Sequence, residues 1–206
     1  MEPEIFKPFG PSIVKIKIPQ NIIEEMNFYV EETIQNEEKL KKNNEGDKLA
    51  GNVYQEFLLD TEFMKKIKWA NFLGTICDQW VWREKTIKLK KFSIIKSWIV
   101  RQFKNDYNPI HYHTGDISGV GYLKVPSTMG ETVQKNKNIN NNGKLILIDG
   151  SKKLFSSPTH VITPKVGDFY MFPSYLMHVV YPFSDTDEER RSVSFNAKID
   201  DQAASL

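Results

Sequence analysis

The spacing of apolar residues changes once along this chain, near residue 88. Before that point, apolar residues recur every three or four positions in two stretches, 21–42 and about 60–83, which predicts two amphipathic helices. Residues 12–20 alternate between apolar and polar and predict a first strand. We expect a short helix or turn at 54–59.

Beyond residue 88 the period falls to about two, which is typical of strands. Many short strands without intervening helices predict a β-sandwich or jelly roll, with the N-terminal helices covering one sheet from outside. We therefore expect a single domain, 1–206, with a helical region at about 20–84 and a jelly-roll core at about 88–200. The predicted strands are 91–103, 119–126, 144–149, 159–164, 167–173, 178–183 and 190–199.

One long segment, 127–144, interrupts these strands and is rich in Asn and Lys. A loop of this length in a compact domain is often a lid over a binding site or a disordered segment. The sequence leaves both alternatives open.

Composition narrows the class of protein. The 206 residues are 40% hydrophobic and 26% charged, with a formal net charge of +2, as in soluble globular proteins. The small net charge gives no strong signal for nucleic-acid binding, and no apolar run reaches the ~18 residues of a membrane helix. The single cysteine, Cys77, excludes an intramolecular disulfide and suits the cytoplasm.

Two of the four histidines, His111 and His113, stand one residue apart in "NPIHYHTGD". Side chains at i and i+2 of a strand point to the same face, so both rings can converge on one metal ion, for which neutral imidazole is a common ligand. His178, at the start of another predicted strand, is the candidate third ligand. Chance pairing and ordinary hydrogen bonding of these histidines are the competing interpretation.

A second polar feature lies in the last predicted strand, "RRSVSFNAKI". Its alternate positions Arg190, Ser192, Ser194 and Asn196 share one polar face, while the opposite face is largely apolar. A polar face directed into a barrel cavity would suit a small anion, since an arginine grips a carboxylate through two parallel hydrogen bonds. A solvent-facing edge strand would give the same pattern.

Taken together, "HYHTGDISGVGYLKVP", "GDFYMFPSYLMHVVYP" and "RRSVSFN" resemble a family of 2-oxoglutarate- and Fe(II)-dependent oxygenases, often encoded by marine bacteria and their phages. The resemblance runs from about Ser97 to Ile199. It implies a double-stranded β-helix (jelly roll) flanked by N-terminal helices, and a dioxygenase that uses Fe(II), 2-oxoglutarate and O₂, most simply a hydroxylase. With the single cysteine, we expect a cytoplasmic location, in a bacterial host if the chain is phage-encoded.

The resemblance also implies roles for single residues. His111 and His178 would ligate iron, Arg190 would bind the distal carboxylate of 2-oxoglutarate with Ser192 beside it, and Tyr122 could bond to the same carboxylate. Asn108 is a further candidate for the cavity wall.

The third ligand departs from the usual two-histidine, one-carboxylate site, because His113 stands where an acidic residue is usual. Asp116 is the nearest carboxylate and could replace His113 if a turn at 114–115 brought it back. We favour the three-histidine set.

Three rival functions remain at this level. A three-histidine site also suits a zinc enzyme, although zinc hydrolysis has no need for Arg190. A jelly roll can be a non-catalytic binding or structural module, and a related oxygenase could act without 2-oxoglutarate. The substrate, a small molecule or a peptide side chain, is not readable from the sequence. The apolar first helix could support a homodimer.

Overall fold

A computed structural model of the protein describes residues 2–8, 10–134, 136–150, 152 and 154–204. Helices dominate the first part of the chain and strands the second, as the change of period predicts. The helices are α1 (Gln20–Ile34), α2 (Glu37–Asn43), α3 (Thr61–Lys66), α4 (Trp69–Lys85) and α5 (Asp201–Ala204). The strands are β1 (Glu4–Phe6), β2 (Ile13–Lys17), β3 (Gln55–Leu58), β4 (Phe92–Gln102), β5 (Asn108–His111), β6 (Ile117–Lys124), β7 (Leu145–Ile148), β8 (Thr159–Ile162), β9 (Asp168–Pro173), β10 (Met177–Val180) and β11 (Arg190–Ile199).

The strands form two antiparallel sheets. The larger has the order β1-β2-β9-β6-β11-β4-β3, and the smaller has the order β5-β10-β7-β8. Neighbours in each sheet are mostly distant in sequence, as in the crossed connections of a jelly roll. The predicted class, mainly β with a double-stranded β-helix beside N-terminal helices, is confirmed.

The larger sheet has two chemically different faces. Its outer face carries apolar side chains such as Ile99, Val193 and Phe195, which pack against the apolar stripes of α1 and α4. Burial of these stripes is the main source of stability for both helices. The inner face carries the polar positions of β11 and faces the smaller sheet.

Both predicted helices are interrupted. Residues 21–42 contain α1 and α2, and Asn36 begins the second by accepting a hydrogen bond from the backbone N–H of Lys39 at 2.9 Å. The second predicted helix breaks before Trp69, where Lys68 has a left-handed φ of 56°. A period of 3.6 can continue across such a break because both pieces pack on the same sheet.

The prediction of a helix or turn at 54–59 is wrong. Residues Gln55–Leu58 form β3, which pairs with β4 at the edge of the larger sheet. Pairing with β4 supplies the ladder hydrogen bonds, and four residues are too few for periodicity to reveal it.

None of the helices in the described ranges is long and apolar enough to cross a membrane. The apolar face of α1, suggested above as a dimer surface, packs against the larger sheet instead.

Candidate metal centre

Three histidine rings meet between the sheets. Strands β5 and β10 pair with His111 opposite His178, and His113 follows just beyond the end of β5, where its backbone N–H donates to the carbonyl of Ser174 at 2.9 Å. The ring centroids are 4.3 Å apart for His111 and His178, 4.9 Å for His111 and His113, and 5.0 Å for His113 and His178. One ring nitrogen of each histidine lies within 4.8 Å of the other two.

Backbone carbonyls set the tautomers of two of these rings. Nδ1 of His111 lies 2.6 Å from the carbonyl of Pro109, and Nδ1 of His178 lies 2.9 Å from the carbonyl of Leu176. A carbonyl only accepts, so each Nδ1 carries the proton and donates it. The lone pair of each Nε2 is left free, in the arrangement by which proteins orient metal-binding histidines.

The environment also keeps the rings uncharged. Burial lowers the pKa of His113 to about 3, with a further lowering by the neighbouring histidines. Burial, followed by the effect of His111, lowers the pKa of His178 to about 4. Burial lowers the pKa of His111 as well. All three imidazoles are therefore neutral near pH 7, the form that binds metals.

Aromatic walls hold the cluster in place. The ring of Trp98 meets His113 edge to face with centroids 5.6 Å apart, and Phe172 meets His178 at 5.1 Å. Three neutral nitrogens from two strands and a turn, fixed by carbonyls and aromatic walls, suit a divalent transition metal such as Fe(II), Zn(II) or Ni(II). The residues present therefore fit the iron implied by the sequence.

The structure does not bring Asp116 to this cluster. Its Oδ2 accepts a hydrogen bond from the backbone N–H of Ile199 at 2.9 Å, and its side chain lines a separate surface pocket near Trp80. The chain continues past Gly115, whose φ is 106°, into β6 rather than turning back. Among the described residues, the group of potential metal ligands consists of the three histidines.

Arg190 lies in the same cavity as the histidines, at the start of β11. Its side chain is almost fully buried at 2% exposure. It donates to Oε1 of Gln102 from Nε at 3.1 Å and from Nη2, and from Nη1 to the carbonyl of Gly143 at 2.5 Å. In the described part of the chain no carboxylate forms an ion pair with it. Burial therefore lowers the pKa of Arg190 to about 10, although Tyr122 and Asp106 act in the opposite direction.

The structure brings the other residues predicted for co-substrate binding to this cavity. Ser192 pairs with Tyr122 across β11 and β6, and both side chains are buried. Burial raises the pKa of Tyr122 to about 12, so its hydroxyl is protonated near pH 7 and can donate. Asn108 lies at the start of β5, where its Oδ1 accepts from Gln102 Nε2 at 3.0 Å. The enclosed space, about 60 Å³, is also lined by Val100, Val120, Leu145 and Val180.

One end of the segment 127–144, at Gly143, contacts Arg190 of this cavity. Ser127 bonds to Glu188 through its backbone N–H at 2.6 Å and its hydroxyl at 2.7 Å, and the N–H of Gly143 donates to Pro182 at 2.9 Å. At the Gly143 end, the carbonyl accepts the hydrogen bond from Arg190.

Sequence reasoning missed two polar residues of the cavity, Glu56 and Gln102. Glu56 lies on β3, which was not predicted as a strand, and its side chain is only 1% exposed. A glutamate directly before the apolar residues Phe57, Leu58 and Leu59 was the available signal, but only strand pairing shows that it points inward. Gln102 ends β4, and alternation alone could have placed it on the same face as Trp98 and Val100.

Comparison with known proteins places this geometry in context. Residues 96–196 match a family model described as "Putative 2OG-Fe(II) oxygenase", where 2OG is 2-oxoglutarate. This match contains all three histidines and Arg190. No match was found among curated proteins.

Several solved structures share the fold at low sequence identity. A prolyl-4-hydroxylase from Pseudomonas putida is 14% identical, with 89% of this chain and 91% of that chain covered and a TM-score of 0.59. A viral collagen prolyl hydroxylase from Paramecium Bursaria Chlorella virus-1, in complex with 2OG, is 15% identical, with 90% and 94% covered and a TM-score of 0.54. HygX from Streptomyces hygroscopicus, with nickel, 2-oxoglutarate and hygromycin B bound, is 9% identical, with 90% and 82% covered and a TM-score of 0.56.

Proposed function

This chain belongs to the 2OG-Fe(II) oxygenase family, and we propose from that premise that His111, His113 and His178 hold its iron and that Arg190 holds its co-substrate. The chain is a dioxygenase that depends on Fe(II) and 2-oxoglutarate, as the sequence implied. We further propose that it is a hydroxylase, acting on a small molecule or a peptide side chain. We also propose that residues 1–206 form a single domain. The pairing of β3 with β4 and of β2 with β9 supports this, because it joins the N-terminal region to the later strands.

The observation that carries the site assignment is the isolation of Arg190. A buried charge without a partner is costly, and Gln102 and Gly143 offer only uncharged oxygens to this guanidinium. A carboxylate entering the cavity would remove that cost and form two charge-assisted hydrogen bonds. 2-Oxoglutarate carries such a carboxylate at the end opposite the keto acid group that chelates a metal.

The surrounding residues would orient the co-substrate. Ser192 and Tyr122 are paired beside Arg190 on the inner face of the larger sheet, and both hydroxyls can donate to the same carboxylate. Valine, leucine and phenylalanine side chains line the space between Arg190 and the histidines, and such apolar surroundings would strengthen each of these interactions.

Each histidine would act as a neutral nitrogen donor, with Pro109 and Leu176 holding two of the rings in orientation. A three-histidine set adds no negative charge, so the 2-oxoglutarate dianion would balance the charge of Fe(II). When bound, Fe(II) with 2-oxoglutarate and O₂ supplies the oxidation of a substrate C–H bond, coupled to conversion of 2-oxoglutarate to succinate and CO₂. The protein supplies orientation and a dry cavity.

The first test is spectroscopic and needs no substrate. Under anaerobic conditions, Fe(II) and 2-oxoglutarate together should give a weak charge-transfer band near about 500 nm, as expected for chelation at an open facial site. Arg190→Ala should lose the band or require far more 2-oxoglutarate, and His178→Ala should lose it altogether. Arg83→Ala, at an exposed arginine of α4, is the matched control and should behave as wild type.

The alternative of a three-histidine zinc enzyme is favoured by the same donor set. A zinc enzyme of this kind would bind its ligands with an affinity that does not depend on Arg190. A wild-type protein that binds Zn(II) tightly but shows no binding of 2-oxoglutarate, by spectrum or calorimetry, would support the zinc enzyme and reject the assignment of Arg190.

A homodimer is also a proposal. The first helix, α1, would contribute little apolar surface to it, because the apolar stripe of α1 faces the sheet.

A further inference from the structure

A buried carboxylate that the proposed function does not use lies in the same cavity. Glu56 is 1% exposed, and in the described part of the chain its Oε2 is a buried oxygen without a hydrogen-bond partner. Buried polar atoms are nearly always satisfied, so an unsatisfied carboxylate oxygen requires an explanation. A ligand that supplies the missing donor is one such explanation.

The side chains of Gln102 and Asn108 connect Arg190 to Glu56, and each donates toward Glu56. Arg190 donates to Oε1 of Gln102, and Nε2 of Gln102 donates to Oδ1 of Asn108 at 3.0 Å. The Asn108 side chain in turn lowers the pKa of Glu56 as a hydrogen-bond donor. Each amide orientation is fixed by the one before it, since an amide offers one acceptor oxygen and one donor nitrogen. The chain begins at a cation and ends at a carboxylate, which it keeps as an acceptor.

The nearby cation, Lys96, does not pair with the carboxylate of Glu56. Lys96 lowers the pKa of Glu56 from a distance, but its Nζ lies 3.9 Å from Glu45 and 5.1 Å from the centre of the Trp98 ring. In the described residues it forms no ion pair with Glu56. Burial outweighs the effects of Asn108 and Lys96 and raises the pKa of Glu56 to about 7, as expected for a buried carboxylate with one unsatisfied oxygen.

Glu56 lies at a boundary between two spaces. It lines the cavity of the histidines together with Leu49 and Ala50, and it also lines an outer groove of about 470 Å³ together with Gly51. A Cβ on Gly51 would lie 3.0 Å from Oε1 of Glu56 and 2.7 Å from Nδ2 of Asn108, so the backbone at Gly51 lies close to both polar side chains. Glu56 therefore borders both spaces, and the segment 49–51 lies beside it at this boundary.

The register places Glu56 close to the metal cluster without making it a ligand. Glu56 is opposite Val100 on β4, two residues from Trp98, whose ring contacts His113. Two residues along a strand span about 7 Å. A substrate group bound at Glu56 would place the adjoining carbon atoms over the histidines.

We propose that Glu56 recognises the primary substrate, and that this substrate carries an ammonium or guanidinium group which pairs with the free carboxylate oxygen. The inference rests on the proposed function for its reaction, since it names the class of substrate for that site. A cationic nitrogen forms a charge-assisted hydrogen bond to a carboxylate, about twice as strong as a neutral one.

The test compares four probes with the same four-carbon chain and different polar ends: n-butylammonium, n-butylguanidinium, n-butanol and butyramide. Their binding to the protein loaded with Zn(II) and 2-oxoglutarate is measured by saturation-transfer NMR, because Zn(II) is diamagnetic and prevents turnover. We expect wild-type protein to bind the two cations at least about tenfold more tightly than the neutral probes, from the added charge-assisted bond. Glu56→Gln should abolish that preference, whereas Glu62→Gln, at an exposed glutamate of α3, should keep it.

Equal binding of cationic and neutral probes to wild-type protein would overturn the proposal, and so would a cation preference that survives Glu56→Gln. The wild-type series decides the first point even if the variant fails to fold. Binding of 2-oxoglutarate is measured in the same samples from its own signals. Its absence would reject the proposed function alone, and the four probes would then decide the role of Glu56 on the metal-free protein.

Discussion

Arg190 and Arg191 are neighbours in sequence, and both guanidiniums are buried, yet their surroundings are opposite. Arg191 points to the helical side, where it donates to Glu189 at 2.7 and 2.8 Å, to Glu31 at 2.8 Å and to Oδ1 of Asn27 at 3.1 Å. Arg190 points to the cavity, where its hydrogen bonds within the described residues go to the uncharged oxygens of Gln102 and Gly143.

The pKa values follow this difference. Burial alone would lower the pKa of Arg191, but its hydrogen bonds to Glu189 and Glu31 raise it overall. Arg190 has burial without that compensation. One strand thus carries a cation whose charge is balanced within the fold and a cation whose charge is left for a ligand, which separates a structural role from a binding role at adjacent positions.

The largest effect should come from removing the structural cation. Arg191→Met leaves Glu189 and Glu31 without their main partner, and breaking a buried pair in this way typically costs about 3–5 kcal/mol of unfolding free energy. Urea denaturation of the ligand-free protein measures this. A smaller loss than that of Arg190→Met would contradict the assignment of structural and binding roles.

Arg190→Met should have the converse result. The unfolding free energy without ligand should change by about 1 kcal/mol or less, because removal of an uncompensated charge offsets the lost hydrogen bonds. The variant should instead lose the stabilisation by 2-oxoglutarate, which for wild type amounts to about 2.7 kcal/mol at a hundredfold excess over Kd. Thermal unfolding with Zn(II), with and without 2-oxoglutarate, separates the two effects.

Glu56 and Glu189 extend the comparison to buried carboxylates. The pKa of Glu189 is lowered by Arg191 and Arg101 despite burial, whereas burial raises the pKa of Glu56 from 4.5 to about 7. Between pH 4.5 and about pH 7, the folded protein thus binds more protons than the unfolded chain. The contribution of Glu56 to stability therefore falls as the pH rises through this range.

Glu56→Gln removes this penalty of ionisation. The ligand-free variant should match wild type below about pH 4.5 and exceed it by about 3 kcal/mol at pH 8, because the pKa of Glu56 is raised from 4.5 to about 7 and each unit corresponds to about 1.36 kcal/mol. Urea denaturation at pH 4.5, 6 and 8 follows the gap. A constant difference across the three pH values would show that Glu56 is already compensated within the fold.

The smallest effect should come from Arg190→Lys, which keeps the charge and loses the fork of donors. We expect the affinity for 2-oxoglutarate to fall about tenfold, because a lysine offers a point charge in place of two parallel hydrogen bonds. Titration of the charge-transfer band gives the ratio directly. An unchanged affinity would mean that charge alone selects the carboxylate.

Much of this protein was predictable from short-range patterns. Alternation identified the polar face of β11, and the i, i+2 spacing of His111 and His113 indicated one metal site, because both features repeat within a few residues. The interruptions at Asn36 and Lys68 and the strand nature of β3 were not predictable. They depend on what each segment packs against.

The sequence by itself determined the strand-rich class and the grouping of Arg190 with the other polar positions of β11 on one face, since a strand sends alternate side chains to opposite sides whatever its neighbours. That this face points into the cavity was decided by the tertiary structure. Only the tertiary structure decided that His178 stands opposite His111, that Asp116 bonds to Ile199 instead of joining the cluster, and that Glu56 shares the cavity. Those facts depend on pairing between segments that are far apart in the chain, where register and sheet order have no local signature.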